Sequence, residues 1–159
     1  MNYGNMQWSR EQIWSTLFQM WSVPCLANGL VTASRSVVHY INVDHALMPA
    51  AYQFQKGESW KRVRGLPPAI VLKGEILLYA DSPIPNPQVP QSTILNTMLD
   101  IIQSTLGDAS PDNNQTLQNT PGIQHVWIED NVQIYEGVLV NTSIVIIPIH
   151  ILVGSNAAT

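Results

Sequence analysis

GIQHVWIEDNVQIYEGVLVNTSIVIIPIHILV, residues 122–153, divides into three short runs rich in Val, Ile, Trp and Tyr, broken at Asp130-Asn131 and Asn141-Thr142. Closely spaced β-formers with Asx-type breaks predict antiparallel hairpins. The last run, residues 143–153, is the most apolar in the chain and is apolar on both alternating faces. Val145, Ile147, Ile149, Ile151 and Val153 lie on one face, Ile144, Ile146, Pro148, His150 and Leu152 on the other. Such a strand must be covered on both sides, by helices or by another subunit. Pro148 has no N–H for a ladder, which predicts a free side there, at an edge or a bulge. A long apolar edge invites pairing with another chain.

Working outward, the 159 residues suffice for a single domain with a sizeable core, and the reading is one domain over 1–159 with its structured part at 9–153. The chain is 45% hydrophobic and only 11% charged, well under the usual quarter. A charge-poor surface suits a protein that works inside an assembly. Cys25 is the only cysteine, so no internal disulfide is implied. The start, MNYGNMQWSREQ, does not read as a signal peptide, and no run approaches the ~20 apolar residues of a membrane span. The expectation is a soluble chain.

The net charge of −4 hides an asymmetry: all seven Lys and Arg lie in the first 73 residues against three acids, while the remaining 86 hold eight acids and no Lys or Arg. Opposite charges on two parts of one subunit suit head-to-tail contact in a ring.

Ser9 with Gln12 forms a capping-box pattern, and Ile13, Trp14, Leu17, Phe18 and Trp21 give an amphipathic stripe. This predicts a helix over 9–22 ended by Pro24. Trp8, Trp14 and Trp21 are read as packing residues. VVHYINV, residues 37–43, predicts a strand, and residues 44–65 predict two strands joined by a turn at Lys56-Gly57-Glu58. Lys56, Lys61, Arg62 and Arg64 cluster on and after that turn, available to phosphates or an acidic surface, or simply solvated. After Pro67-Pro68, residues 69–80 predict a strand bent at Gly74. Residues 81–91 hold four prolines and read as a stiff connector. Ile94, Leu95, Met98, Leu99, Ile101, Ile102 and Leu106 then form a second helical stripe from Ser92 to Gly107. Residues 108–121 read as a mobile polar loop and 154–159 as a frayed tail. Helices and strands that segregate in this order predict an α+β domain: a mainly antiparallel sheet with two amphipathic helices packed on it.

The chain carries no phosphate loop, Gly-rich dinucleotide turn, nucleophile elbow or CxxC. His39, His45, His125 and His150 are scattered, with no metal-binding pair spacing. Asp44-His45 is half of a catalytic pair at most. Adjacent carboxylates at Glu129-Asp130 point to opposite faces of a strand, and Asp130 reads better as a turn former. The expectation is no enzyme, no cofactor and no metal. A pI near 5.4 argues against groove reading of nucleic acid. An acidic, cation-poor channel instead lets a polyanion slide without sticking.

The short N-terminal helix, NVDHALMPAAYQFQKGESW (residues 42–60), LPPAIVLKGEILLYA (66–80), the second helix and the closing GIQHVWIEDNVQIYEG…SIVIIPIHILV together resemble the small neck and tail proteins of tailed bacteriophages. The nearest class is the tail terminator, or tail completion, protein, over residues 9–153. The resemblance implies an α+β subunit of the virion, assembled in the host cytoplasm, that closes into a hexameric ring. Such a ring caps the tail tube, docks the head–tail connector protein and passes genomic DNA without sequence-specific binding. No catalytic residues come with it. In that setting Lys56, Lys61, Arg62, Arg64, Ile147, Pro148 and Ile149 are expected at subunit or partner contacts. Asp108, Asp112, Glu129 and Asp130 are expected to face the channel or the tube. Other readings are a different neck or tail module, such as a connector or tube-like protein, or a small ligand-binding α+β domain or enzyme using the Trp-rich helix with His39 and His45.

Overall fold

The computed structural model describes residues 9–62, 64–65, 69–81, 92–106, 123–129, 131–139 and 142–153. Trp8, Pro67-Pro68, the connector beyond Asp81 (which ends a strand), Gly107, the 108–121 loop with Asp108 and Asp112, Asp130 and the tail lie outside these residues.

Helix α1 (Arg10–Ala27) begins at the expected capping box: the Gln12 N–H donates to Ser9 Oγ (3.2 Å), and the Ser9 N–H donates to Gln12 Oε1 (2.9 Å). Its buried stripe is Ile13, Trp14, Leu17, Trp21 and Cys25. Pro24 does not end the helix, a correction to the reading of the sequence. The turn it weakens is held by burial of Cys25, which is 0% exposed, and by Asn28 Nδ2 donating to the Pro24 carbonyl (2.8 Å).

The short strand β1 (Thr32–Ser34) follows. The strand expected at 37–43 is absent; 3-10 turns stand at Tyr40–Asn42 and His45–Leu47. The reason is local: His39 Nδ1 and Asp44 Oδ1 each accept from the backbone N–H two residues on, and so offer the chain an alternative to a ladder. Val37, Val38 and Ile41 are left exposed.

Strand β2 (Ala50–Lys61) runs straight through the turn expected at 56–58 and pairs antiparallel with β3 (Ala69–Asp81). Lys56 is a bulge in that ladder, between Gln55↔Gly74 and Gly57↔Lys73. The reversal falls after Lys61, where Gly65 takes φ +80°. Gly74 stands in β3 beside the Lys56 bulge. It makes room for α1: a Cβ there would stand 2.7 Å from the Trp14 ring and 2.8 Å from the Phe54 carbonyl.

Helix α2 (Ser92–Leu106) buries Leu95, Met98, Ile102 and Leu106, as its stripe predicts. Strands β4 (Ile123–Ile128), β5 (Gln133–Leu139) and β6 (Thr142–Val153) complete the sheet. Both β4 and β5 pair with β6, on the side away from β3. The break at 129–132 is therefore no hairpin turn: β4 and β5 follow one another along a single edge of β6, and only the second break reverses the chain.

The sheet order is β1-β2-β3-β6-β4, with β5 also on β6; β1–β2 is parallel and all other pairs are antiparallel. Both helices pack on one face. There Ile70, Leu72, Ile76 and Leu78 of β3 meet Val145, Ile147, Ile149 and Ile151 of β6 in the main core. A smaller cluster of Val43, Met48, Ala50, Tyr52, Tyr79 and Ile144 covers one end of the other face. The fold is the expected α+β domain, two helices on a mainly antiparallel six-stranded sheet.

Candidate functional site

The period-2 pleat turns the remaining side chains of β3, β6 and β4 away from the helices. Lys73 and Glu75, Pro148, His150 and Leu152, and His125 and Trp127 are half-buried, with no described layer above them. Register makes neighbours of residues far apart in sequence: His125↔Leu152 and Trp127↔His150. The His125 and Trp127 rings stack at 5.3 Å, and His150 meets Trp127 edge-on at 5.5 Å. Glu129 fixes the group, accepting from Trp127 Nε1 (2.6 Å) and standing 2.9 Å from His150 Nδ1. Beside this cluster lies an open depression of about 390 Å³ lined in part by Lys56, Lys73, Glu75, Pro148 and His150, with Lys56 Nζ 2.7 Å from Glu75 Oε1. The result is an aromatic–histidine patch with one carboxylate clamp, spread over β6 and its outer neighbour β4.

Pro148 does not mark an edge. Strand β6 is interior, and Pro148 sits opposite Glu75 on one side and at the β4–β5 break on the other, where its carbonyl accepts from the Glu129 N–H (3.0 Å). The β3–β6 ladder runs through Pro148 without a register shift, and the free side it needs is the gap between β4 and β5. Ile147 and Ile149 are 0% and 1% exposed beneath the helices, so as folded they offer no side-chain surface to a second chain.

The four expected cations do not form one cluster. Lys56 lies mid-strand on Glu75, while Lys61, Arg62 and Arg64 are exposed at the far end of the β2–β3 hairpin. Arg10 instead pairs with Glu58, through Nη2 to Oε2 at 2.9 Å, and Arg35 with Glu11, through Nη2 to Oε2 at 3.2 Å. The Arg10 guanidinium, by hydrogen bond and charge, holds the Glu58 carboxyl below the usual range; Arg35 does the same for Glu11. His45 abuts not Asp44 but Asp81, whose side chain is 1% exposed. Asp44 is occupied capping Ala46 N (3.0 Å). Trp14 and Trp21 are core residues, and neither they nor His39 and His45 line this depression or a second one of about 350 Å³ at Glu11, Arg35 and Gln53.

Among the described residues no three His, Cys, Asp or Glu side chains converge as a metal site, and no helix is long and apolar enough to cross a membrane. Comparison with protein-family models and with curated proteins returns no match.

The His125–Trp127–Glu129–His150 grouping was missed in the sequence because a β-ladder, not a spacing motif, assembles it. The signal that could have found it is the alternation itself: His125, Trp127 and Glu129 share a face at steps of two, as do Pro148 and His150.

Proposed function

We propose that this chain is a structural virion subunit of a tailed phage, a tail terminator whose copies close into a ring. The ring caps the tail tube and joins it to the head connector, with DNA passing through its centre. One observation carries this reading. Among the described residues the sheet is covered by helices on one face only, and large apolar side chains stand exposed around it, including Val23 (63%), Ile41 (66%), Trp60 (52%) and Ile134 (49%). A chain with so few charges that leaves this much apolar surface uncovered is suited to burial against other subunits. The neck resemblance over residues 9–153 supplies the partners: tail tube protein below and connector protein above. The exposed Lys61, Arg62 and Arg64 suit an acidic neighbouring surface.

The test is to add the purified full chain to tail tube protein of the same phage during polymerisation. Tubes that stop growing and carry a ring at one end are the expected result. Filaments formed by this chain alone would identify a tube-like protein instead. Tubes of unchanged length beside a monomeric chain would contradict any role in the neck.

A further inference from the structure

Strand β1 leaves the edge of β2 early. It pairs with Ala50, Ala51 and Tyr52 and ends at Ser34, whose Oγ accepts from the Ser36 N–H (3.0 Å) and turns the chain aside. Beside the next residues of β2 lies the depression of about 350 Å³ at Glu11, Arg35 and Gln53. From there residues 55–61 run on, every one exposed, with no described strand beyond them. This free edge ends in charge. Arg10, Arg35 and Lys56 each hold a carboxylate, whereas Lys61, Arg62 and Arg64 hold none among the described residues. Trp60, 52% exposed, stands beside them on the helix-bearing face, since it pairs with the core residue Ile70.

We propose that this edge takes an extended, acidic segment of a neighbouring protein as an added strand. The proposal deepens the assembly reading above and rests on it for the source of the segment, another virion protein. An edge strand offers unpaired N–H and C=O groups to such a segment, and the side chains on either face then decide which segment fits. At the far end of this edge three unpaired cations favour carboxylates. Lysines and a bulge, as at Lys56, are common guards against apolar edges, and they leave an acidic strand as the one favoured. On the helix-bearing face Trp60 offers an aromatic anchor to an apolar side chain. The chain's own second edge does not fit here. Through the ladders Gln133, Ile134 and Tyr135 of β5 are level with Tyr52, Ala51 and Ala50 of β2, the residues that β1 already pairs. Strand β4 shares its edge of β6 with β5 and is level with residues 55–60. A copy set alongside with β4 in that level register therefore drives its β5 into β1. The occupant is a segment of another protein.

The test uses the full chain and a short, end-blocked peptide of alternating Val and Glu, labelled for fluorescence anisotropy. Binding should weaken as salt rises, and amides of residues 55–61 should exchange more slowly in the complex. A chain with Lys61→Glu and Arg62→Glu should bind this peptide about tenfold more weakly and prefer a peptide of alternating Val and Lys. An N-methylated version, which keeps the charges but lacks alternate backbone donors, should bind poorly. Any of three results overturns the proposal: unchanged exchange at 55–61 under saturating peptide, equal binding of the N-methylated version, or indifference to the charge reversal. Slow exchange at 55–61 in assemblies of this chain alone would give the edge to a second copy and overturn it too. Peptide binding of the expected kind by a chain that caps no tubes would leave the strand addition standing and remove the terminator reading. Capped tubes with fast exchange at 55–61 would do the reverse.

Discussion

Gln53 is the residue that ties helix to sheet. It is 1% exposed; its Oε1 accepts from Trp21 Nε1 (2.7 Å), and its Nε2 donates to the Trp14 carbonyl (2.9 Å). Gln53→Leu keeps the volume and orphans a buried indole N–H. It should cost about 1–3 kcal/mol in urea denaturation, more than an exposed Gln55→Leu. Gly74 is the matching vacancy, and Gly74→Ala should cost a similar amount by driving the Trp14 ring out of place. Burial pushes the Cys25 thiol from 9.0 up to about 11, and burial also raises the Tyr52 and Tyr79 hydroxyls. In the unfolded chain these groups ionise first. Stability should therefore be intact below about pH 9 and fall by roughly 2 kcal/mol for Cys25 as pH rises toward 11. Cys25→Ala should flatten that part of the slope, and the native thiol should resist alkylation until the chain unfolds. The tryptophan stripe could be read from three- and four-residue steps. Gln53 and Gly74 could not, because what each does depends on partners 20 to 60 residues away.

Helices were the legible elements. α2 begins and ends where its stripe and flanking residues place it, and α1 overran its expected end because tertiary burial of Cys25 outweighed the proline. Strands β3 to β6 were legible too, but β1 and the absence of a strand at 37–43 were not, and neither were the turns. Gly57 between Lys56 and Glu58 looks like a hairpin turn, yet the chain uses Gly65, and the pair can be separated by experiment. Gly65→Ala should cost about 1 kcal/mol, since φ +80° disfavours a Cβ. Gly57→Ala meets nothing within 4 Å and should change stability little. The opposite ranking in thermal unfolding would return the hairpin to 56–58. The break at 129–132 misled in the same way: an Asx pair can interrupt a ladder as readily as reverse it. At 37–47 side-chain caps at His39 and Asp44 overrode β-propensity.

At the scale of the whole molecule, the exposed cations Lys61, Arg62 and Arg64 gather at the loop end of the β2–β3 hairpin, while β4, β5 and β6 carry no Lys or Arg. That consequence needed the strand order, which single-sequence patterns do not supply. The fold class did not need it, because segregated helices and strands already exclude alternating βαβ units. The aromatic–histidine patch lies over β6 and β4 on the face away from the helices, with no layer above it among the described residues. The central claim is that this chain exists to assemble, and its molar mass in solution tests that most directly. Light scattering on the full chain, alone and with tail tube protein, should give a closed species near six times the 17.6 kDa chain. A particle that stays at 17.6 kDa under both conditions would contradict the account.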